Sequence, residues 1–159
     1  VGAYTIRVRA TDKDNGSQSD AIKVVHIHGY QLVPNSGNPL LTDLVWSGSS
    51  GADEIVLSPG APGEVTLQTN VFNGTPVSTS ETITGVTGRV VAWGQDGADR
   101  IDASALGQST EIRGGAKGDT IFGGSGENVL YGDSDGGEGG ADSIVGGGSA
   151  DLIYADGPE

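Results

Sequence analysis

Acidic residues stand at one fixed place in a glycine-rich string that recurs along the chain. In every copy the acid or its amide lies two residues before a large aliphatic side chain. The residues at this place are Asp53, Asp99, Asp119, Asn128, Asp142 and Asp151. The strings contain neither His nor Cys, which a zinc site would need. Carboxylate and carbonyl oxygens are instead the ligands of Ca²⁺, which accepts about 6–8 of them in flexible geometry.

The spacing of these residues predicts two stacked rows. Asp119 lies 20 residues after Asp99, and Asp142 lies 23 residues after Asp119. Asp151 likewise lies 23 residues after Asn128, so one inserted loop would lengthen both rows alike. Stacked strands lie about 4.8 Å apart. Two like charges at that distance repel by roughly 3–4 kcal/mol at an effective dielectric constant of about 20, and a bound cation would remove this repulsion.

Four of the strings share one nine-residue frame, G-G-x-G-x-D-x-U-x, in which U is a large apolar residue. These copies are residues 114–122, 123–131, 137–145 and 146–154, and two looser copies are residues 48–56 and 94–102. The pattern resembles that of the repeats-in-toxin (hemolysin-type) calcium-binding family. The resemblance implies an all-β fold, a right-handed parallel β-roll or β-helix in which two nonapeptides make one coil.

Each nonapeptide also has a physical interpretation of its own. Six residues turn, with glycine supplying the positive φ angles that other residues resist, and three residues then form a short strand. The middle side chain of each strand is expected to point inward, as at Ile101, Ile121, Leu130, Ile144 and Ile153. One coil cannot bury its apolar face alone, so neighbouring coils must stack.

The predicted metal ligands combine the side chains of the two rows with glycine carbonyls of the turns. They are Asp53, Asp99, Asp119, Asn128, Asp142 and Asp151, with Gly97, Gly115, Gly124, Gly126, Gly140 and Gly147. A possible additional site involves Asp133 and Asp135 of the inserted loop. The alternative is that each Asp only stabilises its turn by hydrogen bonds. Asn128, Lys117 and Ser149 depart from the consensus, and Asn is neutral while Lys is a competing cation.

The first 30 residues predict a β-hairpin, because two alternating apolar and polar runs flank a turn at Asn15-Gly16. The segment resembles the last strands of an immunoglobulin-like domain of the polycystic-kidney-disease or cadherin-like type. The matching residues are Gly2, Tyr4, Ile6, Val8, Ala10, Thr11, Asp12, Asp14 and Gly16. We therefore predict an incomplete domain over residues 1–30, a linker over 31–43 and the roll over 44–159, with a hairpin insertion between residues 56 and 92.

Other candidate sites are weaker. His26 and His28 lie on one face of a predicted strand and could hold a transition metal, although ordinary surface or packing roles are commoner. Asp12, Asp14 and Asn15 could bind a cation at a domain junction, but a plain hairpin turn is the simpler interpretation. No H-E-x-x-H or G-x-S-x-G motif is present, so we expect no enzymatic activity.

The formal net charge of −13 argues against nucleic acid or an anionic membrane as a partner, because both need basic patches. We expect a calcium-binding structural module of a secreted or cell-surface protein, of extracellular and bacterial location, that folds on extracellular calcium. One alternative is an adhesion or self-assembling filament subunit that uses strand complementation. Another is the non-catalytic tail of a secreted hydrolase. The expected partners are calcium ions and either further copies of the chain or neighbouring domains of the same protein.

Overall fold

A computed structural model describes residues 5–11, 18–24, 29–73, 75–133 and 139–156. Within these ranges every regular element is a β-strand. Strands β1 (Thr5–Thr11) and β2 (Gln18–Val24) pair antiparallel as a two-stranded sheet, as the alternating pattern of the first 30 residues predicts. The turn of this hairpin, with Asp12, Asp14 and Asn15, lies outside the described residues, as do His26 and His28.

The rest of the chain alternates between two six-stranded sheets. Sheet one contains, in spatial order, β14 (Leu152–Tyr154), β12 (Asn128–Asp133), β10 (Thr110–Ala116), β8 (Val90–Asp96), β4 (Thr42–Ser47) and β3 (Tyr30–Pro34). Sheet two contains β13 (Ser143–Val145), β11 (Thr120–Phe122), β9 (Arg100–Asp102), β5 (Glu54–Pro59), β6 (Glu64–Asn73) and β7 (Thr75–Thr84). Apart from β3, β6 and β7, neighbouring strands run parallel, which confirms the predicted roll.

The core lies between the two sheets and consists of stacked aliphatic side chains. In sheet two, Ile121 is in register with both Ile101 and Ile144. In sheet one, Leu130 is in register with Ile153. Ile101, Ile121 and Leu130 are fully buried, as predicted, and Ile144 packs at the margin of the core. Ile153 is 50% exposed because no strand within the described residues continues sheet one beyond β14.

The predicted hairpin insertion is present. Strand β5 pairs with β6, and β6 pairs with β7, both antiparallel, so the hairpin extends sheet two beyond its parallel part. Leu57, Val65, Leu67 and Ile83 from these strands are buried in the same core as the coils. The hairpin is therefore a continuation of the roll's core rather than a separate unit.

The segment predicted to be a linker, residues 31–43, contains strand at both ends. Strand β3 pairs antiparallel with β4, from Tyr30 opposite Trp46 to Pro34 opposite Thr42. The linker prediction rested on turn-forming residues between Pro34 and Pro39, which belong to the short connection from β3 to β4. In this connection, Oδ1 of Asn35 accepts hydrogen bonds from the N–H groups of Gly37 and Asn38. The sequence signal thus marked a turn within the sheet, and the domain boundaries stay a prediction.

Candidate metal centre

Four aspartates form a row at the corner where the chain passes from sheet one into sheet two. Asp53, Asp99, Asp119 and Asp142 each immediately precede a strand of sheet two, and we name them the first row. The main-chain N–H of Asp53 donates to Oδ1 of Asp99 over 2.7 Å, and that of Asp99 donates to Oδ1 of Asp119 over 2.7 Å. The N–H of Asp119 donates to Oδ1 of Asp142 over 2.8 Å. The carboxylates of Asp99, Asp119 and Asp142 are therefore each fixed by the coil before them through one of their two oxygens.

The second oxygen of the two central carboxylates has no hydrogen-bond donor. Asp99 and Asp119 are 3% and 2% exposed, and Oδ2 of each lacks a hydrogen-bond partner in the described part of the chain. Burial raises the pKa of both carboxyl groups to about 7; neighbouring carboxylates add to the shift, and the main-chain N–H bonds oppose it. A buried charge without a partner is costly, so the site needs a proton or a cation.

A carbonyl oxygen from the next coil faces each of these orphaned oxygens. A Cβ atom placed on Gly94 would clash with both Oδ2 of Asp99 and the carbonyl oxygen of Gly114. A Cβ on Gly114 would in turn clash with both Oδ2 of Asp119 and the carbonyl oxygen of Gly132. Glycine thus leaves room where two oxygens of successive coils meet, and an ionised carboxylate and a carbonyl cannot donate a hydrogen bond to each other.

The same geometry continues in the following coil. A Cβ on Gly132 would clash with Oδ2 of Asp142 and the carbonyl oxygen of Ala155. Asp142 is half-buried, and this burial raises the pKa of its carboxyl group. The hydrogen bond from the Asp119 main-chain N–H lowers the pKa, and the charges of Asp133 and Asp156 add to the rise. Three consecutive layers of the roll therefore present a carboxylate oxygen and a carbonyl oxygen side by side.

The opposite corner, where the chain passes into sheet one, carries Thr110, Asn128 and Asp151, which we name the second row. The main-chain N–H of Asn128 donates to Oδ1 of Asp151 over 3.0 Å, which repeats the bond pattern of the first row. The Thr110 hydroxyl donates to Oδ1 of Asn128 over 2.7 Å. The sequence-predicted side chains thus lie in two rows on opposite corners, and Thr110 joins the second row without having been predicted.

The predicted glycines lie in the turns or, for Gly115, near the end of β10, where successive coils approach each other closely. A Cβ added to any of six glycines would come within 2.8 Å of main-chain atoms of another turn; these are Gly97, Gly115, Gly124, Gly126, Gly140 and Gly147. Gly115 has a φ of 122°, and Gln95 and Lys117 have φ angles of 83° and 76° at places where the repeat prefers glycine. The structure therefore gives these glycines a packing role in addition to any ligand role.

The inserted loop contributes one described acid. Asp133 is 8% exposed, and its Oδ1 accepts a hydrogen bond from the Gly140 N–H over 3.2 Å. Its charge also acts on Asp119 and Asp142. Asp135 lies outside the described residues, so the additional site with Asp133 stays a prediction.

Protein groups donate hydrogen bonds to two acids at the start of the roll, and one of them, Asp43, is also paired with a cation. Asp43 is 2% exposed and accepts hydrogen bonds from the Asn35 amide, the Arg89 main-chain N–H and the Arg89 guanidinium. Asp53 accepts hydrogen bonds from the main-chain N–H and the hydroxyl of Ser49. Sequence reasoning assigned no role to these partners, because Asp43 lies outside the nonapeptide frame.

The three arginines near the repeats form ion pairs with acidic side chains. Arg89 contacts Asp43 and Glu111, and Arg113 contacts Glu111 and lies over the ring of Tyr131. Arg100 forms ion pairs with Glu54 and Asp102. Neither of these acids belongs to the first row. The Arg100–Glu54 pair joins neighbouring strands, whereas the Arg100–Asp102 and Arg113–Glu111 pairs each lie within one strand.

The donor set of the first row fits calcium. In the part of the chain that the structure describes, no three acidic or histidine side chains converge on a common point. An ion at this corner would therefore be held by carboxylate oxygens such as Oδ2 of Asp99 or Asp119 together with main-chain carbonyls and water. Ca²⁺ accepts such a mixed, flexible set of oxygens, whereas Zn²⁺ prefers nitrogen or sulfur ligands in a tetrahedron.

Comparison with known protein families agrees with this donor set. The family of the RTX calcium-binding nonapeptide repeat (4 copies) matches residues 77–105, 109–137 and 137–157, and RTX repeats of this kind bind Ca²⁺. No curated protein and no solved structure is detectably similar to the chain. The family match does not extend to residues 1–30, so their likeness to an immunoglobulin-type domain stays a prediction. Among the described residues, no helix is long and apolar enough to cross a membrane.

Proposed function

We propose that this chain, which carries RTX calcium-binding nonapeptide repeats between residues 77 and 157, is a structural module of a secreted or cell-surface protein that folds when it meets extracellular calcium. The observation that carries the proposal is the pair of orphaned oxygens, Oδ2 of Asp99 and Oδ2 of Asp119. Each is buried and faces a carbonyl oxygen of the next coil. A calcium ion between the two oxygens would satisfy both.

The proposed ligands follow from this geometry. In the first row, each ion takes Oδ2 of one aspartate and a main-chain carbonyl of the following coil, with further turn carbonyls and water completing its shell. The layers of Asp99 and Asp119 are the best-supported calcium sites, because both carboxylates are almost completely buried. Asp142 supplies a third, more exposed layer. Asp53 is less well supported as a calcium ligand, since Ser49 already donates hydrogen bonds to both of its carboxylate oxygens.

Calcium would control folding because the ligands come together only in the coiled chain. The unfolded chain is acidic, with a formal net charge of −13, and brings no preformed site. Binding free energy then adds to folding free energy, as RT ln(1 + [Ca²⁺]/Kd) for each site. Extracellular calcium modules bind at about 10⁻⁴–10⁻³ M, a range in which the chain would stay unfolded inside a cell and fold outside it.

Circular dichroism of the purified chain tests this proposal. We expect that in chelator the chain is mostly unfolded at room temperature and gains β-signal only on cooling, so that its melting temperature is low but measurable. At room temperature the β-signal should rise cooperatively as calcium rises into the millimolar range. Magnesium at the same concentration is the control, because its demand for octahedral geometry and its retained water make it a poor substitute. A β-signal of equal strength in chelator and in calcium would overturn the proposal.

A second role, self-association, is favoured by exposed apolar side chains on the last two described strands, β13 and β14. Val145, Leu152, Ile153 and Tyr154 on the last two strands are 45–57% exposed, and β14 leaves one edge of sheet one unpaired among the described strands. Such an edge pairs readily with another strand, from a second copy or a neighbouring domain. Sedimentation velocity in calcium over a wide concentration range tests it: Ile153→Lys should shift any oligomer toward monomer. A wild-type chain that stays monomeric throughout would rule it out.

The remaining interpretations, an adhesion unit and the non-catalytic tail of a secreted hydrolase, stay predictions. RTX repeats form structural calcium-binding modules, and the proposed role needs no catalytic group from this chain.

A further inference from the structure

The two rows differ in what faces the carbonyl oxygen of the next coil. In the first row, Oδ2 of Asp119 lies beside the carbonyl oxygen of Gly132, over the open side of Gly114. In the second row, Nδ2 of Asn128 lies beside the carbonyl oxygen of Gly146, over the open side of Gly123. The side chains occupy equivalent places, but Asn128 presents a hydrogen-bond donor where Asp119 presents an acceptor.

The side-chain amide nitrogen of Asn128 lies within hydrogen-bond distance of oxygens in two successive coils. Its Nδ2 lies 2.9 Å from the Gly146 carbonyl oxygen and 2.8 Å from Oδ1 of Asp151, both in the next coil. The carbonyl oxygens of Gly126 and Gly124 in its own turn are 2.8 and 3.1 Å away. Four oxygens therefore surround one nitrogen that carries two hydrogens, in a side chain that is 1% exposed.

We propose that the Asn128 side-chain amide stands in for a calcium ion at this layer, so that hydrogen bonds instead of a cation join its coil to the next. The proposal rests on the proposed function, because it assumes that the first row binds calcium. It divides the roll into a calcium-dependent corner and, at the layer of Asn128, a corner that is complete without calcium.

The orientation of the amide is fixed by its other end. Oδ1 of Asn128 accepts hydrogen bonds from the Thr110 hydroxyl over 2.7 Å and from the Gly124 N–H over 3.3 Å. If the amide were flipped, its NH₂ group would point at the Gly124 N–H, and its oxygen would point at four other oxygens. Calcium ligation by Oδ1 of Asn128 would require this flip, and the Gly124 donor opposes it.

Changing Asn128 to Asp should convert the amide layer into an ion site. The new Oδ2 would join the same four oxygens, which makes five protein ligands, and water can supply the rest of a shell of about 6–8. We expect Asn128→Asp to bind one calcium ion more than the wild-type chain, measured by isothermal titration calorimetry. We also expect its melting temperature to fall in chelator and to recover in saturating calcium.

The reciprocal change provides the matched variant. In Asp119→Asn, the new amide would donate to the Gly132 carbonyl oxygen, while Oδ1 keeps the bond from the Asp99 N–H. We expect this chain to bind one ion fewer than the wild type and to melt at a higher temperature than the wild type in chelator. It keeps the test informative even if Asn128→Asp fails to fold.

The wild-type chain offers a direct spectroscopic check. The Asn128 side-chain NH₂ resonances should stay protected from solvent exchange in saturating calcium, since the group remains enclosed. Loss of that protection, or an unchanged ion count in both variants, would overturn the inference. If the wild-type chain bound no calcium, the proposed function itself would be wrong. If the wild-type chain bound calcium and both variants bound the same number of ions as the wild type, only the inference about Asn128 would be wrong.

Discussion

The main-chain N–H of Asp99 donates to Oδ1 of Asp119 over 2.7 Å, and this single bond determines what the rest of the carboxylate can do. It aligns successive coils and holds the Asp119 side chain at the corner. It also turns Oδ2 toward the carbonyl oxygen of Gly132, where no donor from the described residues meets it. The alignment of the coils and the demand for a cation therefore have the same origin.

Removing one central carboxylate should weaken calcium-induced folding. Asp119→Ala deletes both a ligand and the acceptor of the Asp99 N–H. Hydrogen bonds to charged groups contribute roughly 1.5–3 kcal/mol, so the midpoint of the calcium titration should rise by about tenfold or more. The matched control is Glu127→Ala, which removes the same charge from an exposed side chain. Equal midpoints for the two variants would contradict the assigned role of Asp119.

Acid should stabilise the calcium-free fold. The pKa values of Asp99 and Asp119 are raised to about 7, so between about pH 4 and 7 the folded chain binds more protons than the unfolded chain. This stabilisation is present at low pH and is lost as the pH rises through 7. The melting temperature in chelator should therefore be higher at about pH 5 than at about pH 8.

The double variant Asp99→Asn, Asp119→Asn is the control for this pH dependence. Its amides do not titrate, so the difference in melting temperature between the two pH values should shrink markedly. A wild-type chain that melts at a lower temperature at the acidic pH would show that these carboxyl groups are not the buried, unsatisfied acids that the structure describes.

Lys117 is a place where a substitution should stabilise the roll. Its φ of 76° strains a residue with a side chain by about 1–2 kcal/mol, and glycine adopts this angle freely. Lys117→Gly should therefore raise the melting temperature in saturating calcium by a few degrees. Ala116→Gly, next in the chain and without a positive φ, should lower it. A loss of stability in both variants would contradict the backbone assignment.

Gly115 tests how closely the turns stack. A Cβ at this position would overlap the carbonyl group of Gln95, and the φ of 122° adds strain. Gly115→Ala should cost about 3 kcal/mol or more of unfolding free energy in saturating calcium, by chemical denaturation. Gly107→Ala is the control, because the nearest atom to its added Cβ is Oγ of Ser125 at 4.0 Å. A similar, small effect of both substitutions would mean that the turns are more loosely stacked.

The sequence was sufficient for features that repeat with the coil. The constant place of the acid before each short strand predicted that Asp99, Asp119 and Asp142 would superimpose, and the aliphatic residue two places later predicted the buried ladder. The hairpin insertion between residues 56 and 92 was also predicted. These signals are local, and the stacking of coils turns each local repeat into a row.

Features that depend on partners distant in sequence did not show in the pattern. Asp43 is neutralised by Arg89, which is 46 residues away, and nothing in the spacing pairs them. Asn128 was predicted as a ligand like its neighbours, because the pattern cannot tell which end of an amide faces the next coil. That choice depends on the Gly124 N–H in the same turn and on the Thr110 hydroxyl, which meets Oδ1 only after the coils have stacked.

The central claim is tested most directly by a crystal structure in millimolar calcium, with an anomalous difference map at a wavelength sensitive to that metal. The account predicts a calcium peak at the first-row corner, about 2.3–2.6 Å from both Oδ2 of Asp119 and the carbonyl oxygen of Gly132. A corner that holds only water, with Asp119 turned away from Gly132, would contradict it.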